Sequence, residues 1–119
     1  MAEILVIDDQ ESMRFIISHM LEEKGHQVKS AEDGDQALAL LANKSFDLVL
    51  ADVNMPRLNG LEFLKAVKEK YPKMRVVFIT GILEETIRIG SENLGLDGLI
   101  LKPFEKSAAL EVIDKVLHS

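Results

Sequence analysis

At 119 residues, 47% of them apolar, the chain is long enough to bury a core and is expected to form one domain spanning 1–119. It has no cysteine, which excludes disulfides and thiolate metal sites, and its formal net charge of −6 argues against broad binding to nucleic acid or anionic lipid, since both lean on clustered Lys and Arg. No apolar run approaches the roughly 20 residues that cross a bilayer, and "MAEILVIDD" lacks the charged start and long apolar stretch of a signal peptide, so a cytoplasmic protein with no membrane or direct nucleic acid partner is expected.

The chain opens with the apolar run "EILVI", a candidate strand, followed by Met13, Ile16, Ile17, Met20 and Leu21 at helical spacing. Gly25 then stands where a left-handed cap residue would end that helix. "QVKSA" reads as a second and more polar strand, suited to a sheet edge, and Ala37, Leu38 and Leu41 form the next helical stripe. "DLVLA" is a third strand, apolar throughout, and Leu61, Leu64 and Val67 mark the helix after it, with Pro72 beyond its end. "RVVFI" precedes a fourth helix at about Glu84 to Asn93, whose stripe is thin and holds Gly90, a residue that weakens a helix by roughly 1 kcal/mol relative to Ala. Glu84 and Glu85 suit its positive N-terminal end, and Gly95 follows as a cap. "GLILK" and the stripe Leu110, Ile113, Val116 and Leu117 complete the series. Five strand-then-helix repeats imply a doubly wound α/β fold, a five-stranded parallel sheet with helices on both faces.

Such sheets bind ligands beyond the carboxyl ends of their strands. Those ends carry Asp8 and Asp9, Asp52, Thr80 and Lys102, and in the flavodoxin-like order 2-1-3-4-5 the strands bearing them are neighbours. Taken singly, an acidic pair reads as a solvated turn, the threonine as a strand-end hydroxyl and the lysine as a surface charge; their joint placement favours function. Three carboxylates about 5 Å apart would repel by roughly 3 kcal/mol per pair at an effective dielectric of 20, so a cation held among them is the natural remedy. Hard oxygen donors favour Mg²⁺, with Mn²⁺ as a substitute. His19, His26 and His118 show no ligating spacing, and the methionines after Met1 read as packing or loop residues.

The fragments "VIDDQ", "DVNMPRLNG", "ITG" and "LKPF", in this order and at these strand ends, resemble the receiver domain of bacterial two-component response regulators, the family that includes the chemotaxis response regulator. The resemblance spans the whole chain. It implies that Asp52 is the phosphoacceptor, that Asp8, Asp9, Asp52 and the backbone carbonyl of Asn54 hold Mg²⁺, that Thr80 is the switch hydroxyl and that Lys102 contacts the phosphoryl group. Pro56 and Gly60 shape the loop after the third strand, and Pro103 resembles the family's cis-proline. The implied function is a phosphorelay module that takes a phosphoryl group from a histidine kinase or phosphotransfer protein and changes its surface for a downstream partner. Self-phosphorylation from a phosphodonor and autodephosphorylation are the turnover expected of it.

Other classes fit less well. Haloacid-dehalogenase-like phosphatases and phosphotransferases use an Asp nucleophile after the first strand with a second Asp two positions on, whereas here the candidate follows the third strand and position 54 is Asn. A flavin- or nucleotide-binding protein of this fold needs a phosphate-cradling loop where this chain has "DDQES", and a phosphorylation-independent binding module would not need every chemical position filled. Two departures from the receiver pattern stand out. Leu99 occupies the position of a switch aromatic, and Gly81 follows Thr80 where Ala is common, so the segment from Gly81 to Leu96 is the expected carrier of the signal. No output segment follows the fifth helix, which is expected of either a stand-alone receiver or part of a longer protein.

Overall fold

Alternation of apolar runs with amphipathic stretches resolves, in a computed structural model that describes residues 1–53, 59–81 and 90–119, into a parallel sheet clasped by helices. The strands are β1 (Glu3–Ile7), β2 (Gln27–Ala31), β3 (Leu48–Asp52), β4 (Arg75–Thr80) and β5 (Gly98–Leu101). Helices α1 (Glu11–Glu22), α2 (Gly34–Asn43) and α3 (Gly60–Lys70) follow the first three strands, and a C-terminal helix (Lys106–Leu117) follows β5. Of the fourth predicted helix, residues 90–93 are helical; Glu84 and Glu85, like Asn54, Met55 and Pro56, lie outside the described residues. No helix among those described is long and apolar enough to cross a membrane.

The sheet has the order β2-β1-β3-β4-β5, with every pairing parallel. The polar strand β2 takes an edge, as its composition requires, and β3 is buried along its whole length at the centre. Because successive strand residues point to opposite faces, each strand feeds two cores. Leu5, Ile7, Val49, Ala51, Val76 and Phe78 pack with Ala37 and Leu41 of α2 and Phe63, Leu64 and Val67 of α3. Ile4, Val6, Leu48, Leu50, Val77, Ile79 and Ile100 pack with Ile17, Met20 and Leu21 of α1 and Ala109, Ile113 and Val116 of the C-terminal helix. Full burial of one such aliphatic or aromatic side chain is worth about 1.5–3 kcal/mol, so the two layers together hold the sheet firmly between them. The α1 stripe is narrower than its spacing predicts: Ile16 is 53% exposed, because it lies at the rim of the face that Ile17, Met20 and Leu21 bury.

Local signals set the element ends. Asp33 Oδ1 accepts from Gln36 N at 2.8 Å at the start of α2, and Asn59 Oδ1 accepts from Glu62 N at 2.9 Å at the start of α3. Gly25, at φ +87°, turns the chain out of α1 into β2 in the left-handed region that side chains avoid. Gly60 serves closeness instead. Its N–H donates to the Val53 carbonyl at 2.8 Å, and a Cβ built there would lie 2.8 Å from that same oxygen and 2.9 Å from Val53 Cα. The start of α3 is thereby seated directly on the backbone just past Asp52.

Candidate functional site

The register decides which strand ends meet. Ile7 pairs with Ala51, so Asp8 and Asp52, one residue further on, arrive side by side; Asp52 pairs with Ile79 and Thr80 with Leu101, which brings Thr80 and Lys102 to the same level. Alternation along the strands then gives Asp52 the parity of Leu48 and Leu50, and Lys102 that of Ile100, the face shared with α1 and the C-terminal helix. Thr80 has the other parity and is 1% exposed. The Lys102–Pro103 peptide is cis.

Asp8 is wholly buried and held on four sides. Its N–H donates to the Ala31 carbonyl at the end of β2 (3.2 Å), and its own carbonyl accepts from Arg14 Nη1 of α1 (2.7 Å). Its Oδ1 accepts from Gln10 N (2.9 Å) and its Oδ2 from Lys102 Nζ (3.4 Å). The same ammonium donates to Asp52 Oδ2 at 3.2 Å, and Asp52 is 9% exposed. Burial pulls the Lys102 ammonium toward a lower pKa, but the charges of Asp52 and Asp8 and their hydrogen bonds outweigh it and hold the value above the ordinary one. The Lys102 N–H donates to the Thr80 carbonyl at 2.7 Å, which locks the end of β5 to the end of β4.

Asp9 is exposed and completes the cluster: Asp8, Asp9 and Asp52 each place an oxygen within 4.8 Å of the others. Three carboxylates outnumber the Lys102 ammonium that contacts two of them and the Arg14 guanidinium on the Asp8 carbonyl, so the site keeps a net negative charge. A hard divalent cation matches both that charge and that oxygen donor set. Of the residues marked at the strand ends, the structure brings together Asp8, Asp9, Asp52, Thr80 and Lys102; Asn54 lies outside the described residues. Arg14 joins them from α1, unseen by any search of strand ends.

The sequence profile of the response regulator receiver domain matches residues 4–114. The chain belongs to this family. The receiver is 35% identical to protein CcdB of Bacillus subtilis over 98% of both chains. Its structure matches that of the chemotaxis protein CheY4 of Vibrio cholerae with a TM-score of 0.92 at 34% identity, covering 98% of each chain. Response regulator TrrA of Thermotoga maritima, solved in complex with Mg²⁺ and BeF, matches with a TM-score of 0.89 at 28% identity, over 98% of this chain and 99% of that one. The fold expected from the strand-then-helix repeats and the chemotaxis-like resemblance are thus both borne out, and the receiver is a module of phosphorylation-activated two-component signalling. Leu99, at the position of the usual aromatic, is half-buried against the α2 and α3 side of the core. Of the expected signal carrier, Gly81 and residues 90–96 are described; 82–89 lie outside the described residues.

Proposed function

We propose that Asp52 is the phosphoacceptor of this receiver, and that the 119 residues act as one cytoplasmic unit between a histidine kinase or phosphotransfer protein and a downstream partner. One observation carries the reading: Asp52, 9% exposed, has an oxygen within 4.8 Å of both acids of the pair and the ammonium of Lys102 at 3.2 Å. An oxygen of Asp52 attacks phosphorus as the P–N bond of a phosphohistidine donor breaks and its electron pair returns to the imidazole. Lys102, already turned to Asp52, exchanges part of that contact for a phosphoryl oxygen, and the Thr80 hydroxyl donates to another. Asp8, Asp9 and Asp52, with the Asn54 carbonyl implied by the family pattern, would hold Mg²⁺, or Mn²⁺ in its place, which neutralises charge on the phosphoryl oxygens when bound. The protein's own part is to position and to neutralise.

The test is intact-mass analysis after incubation with acetyl phosphate and Mg²⁺. One phosphoryl group is expected on the wild-type protein, none on Asp52→Asn and none in excess chelator. Labelling of Asp52→Asn to the wild-type extent would place the acceptor elsewhere.

A further inference from the structure

We infer that Arg14 is a positioning residue for the acidic pair, holding the peptide between Asp8 and Asp9 so that the two carboxylates converge on one cation; this rests on reading Asp8, Asp9 and Asp52 as a metal site. The Arg14 side chain is 15% exposed. Its Nη1 reaches the Asp8 carbonyl at 2.7 Å, a charge-assisted bond of about twice the strength of a neutral one. Its Nη2 lies 3.8 Å from Glu32 Oε1, a looser contact to a side chain that is 64% exposed. A guanidinium is costly to withdraw from water, and here its short contact goes to a main-chain oxygen rather than to a carboxylate. That oxygen belongs to the peptide group that joins the two acids.

Asp8 is anchored through its side chain and its N–H from three other directions. Asp9 is exposed and has no comparable anchor among the described residues, so the tilt of the Asp8–Asp9 peptide sets where its carboxylate starts. Arg14 fixes that tilt from the first turn of α1, with a rigid planar fork that a lysine does not supply. The Glu32 contact extends the brace to the loop after β2, so the acid-bearing loop is tied to both of its neighbours.

Charge and geometry make opposite claims on metal affinity, and this separates positioning from mere proximity. Deleting a positive charge near an acidic cluster tightens cation binding by Coulomb's law; loosening the ligands weakens it. Mn²⁺ affinity, read by electron paramagnetic resonance of free Mn²⁺, is therefore compared in wild type, Arg14→Met and Arg14→Lys. Arg14→Met is expected to bind about tenfold more weakly, the usual scale for losing a residue that orients a metal ligand, and Arg14→Lys to fall between the two. Labelling by acetyl phosphate should need correspondingly more metal yet reach the wild-type level at saturation. Affinity in Arg14→Met equal to or tighter than wild type overturns the inference. Should circular dichroism show that variant unfolded, Arg14→Gln, whose amide is too short to reach the carbonyl, is judged by the same criterion. Failure of the wild type to bind Mn²⁺, or binding unaffected by Asp9→Asn, overturns the metal-site reading itself and the role of Arg14 with it.

Discussion

Lys102 answers two carboxylates with one charge, and the balance at the site turns on that ratio. Asp8 is fully buried and Asp52 nearly so, so their mutual repulsion is poorly screened by water. Breaking a buried ionic contact from one side leaves an uncompensated charge, at a cost of about 3–5 kcal/mol in a dry interior. The Lys102 side chain is 21% exposed, so a loss of about 1–3 kcal/mol is expected for Lys102→Met in chelator. Urea unfolding measures it, and two treatments should restore the loss: added Mg²⁺, and the second substitution Asp52→Asn. Stability equal to wild type in chelator would mean that the ammonium is not the compensating charge. At this scale five of the six described site residues were legible in the sequence, because a parallel sheet displays its chemistry at the strand ends. Arg14 was not, since it reaches the site from within a helix, where a single cation among Met13, Phe15 and Ile16 reads as a solvent-facing position.

Among the described glycines, the one that opens α3 makes the closest backbone approach. This residue, Gly60, approaches the Val53 backbone so closely that a methyl group would meet main-chain atoms at 2.8–2.9 Å, and main chain cannot swing aside as a flexible side chain can. Gly60→Ala is expected to cost about 2–3 kcal/mol or to displace the helix start, in the range of overpacked core positions. Thermal unfolding checks the first outcome; the second would appear as lost labelling at Asp52, since Val53 adjoins it. By contrast a methyl group added at Gly81 would meet, among the described residues, Lys102 Cβ at 3.9 Å, an ordinary van der Waals contact, so Gly81→Ala should leave stability within about 0.5 kcal/mol. The sequence places Gly60 in the loop after the third strand and Gly81 where Ala is common, but it does not show why position 60 needs glycine, because closeness to a backbone from another element has no local signature. Helix existence was legible from periodicity throughout the described residues. The exposure of Ile16 was not, since spacing gives the direction of a stripe and packing decides its width.

The whole molecule is two hydrophobic layers either side of one sheet, with the chemistry gathered along the rim where both layers end. Strand-then-helix repeats point to a doubly wound sheet, and in the flavodoxin-like order, which the structure has, the ends of β1, β3, β4 and β5 meet, whereas the brace that steadies the acid pair depends on atoms that no rule of topology counts. The contact from Lys102 to Asp8 spans 94 residues of chain, and it cannot form before the last strand has docked against β4. The site is thus strongly non-local and is expected to assemble late in folding, after loop closures that the local helices do not require. A cation that binds the finished site and not the unfolded chain stabilises the native state by mass action. A site that assembles after the transition state puts that gain on the unfolding rate rather than the folding rate. In stopped-flow unfolding and refolding, Mg²⁺ is expected to slow unfolding severalfold and to leave the refolding limb unchanged; equal shifts in both limbs would place site assembly before the barrier. The cation that readies the receiver for its signal would then also set how long each molecule stays folded.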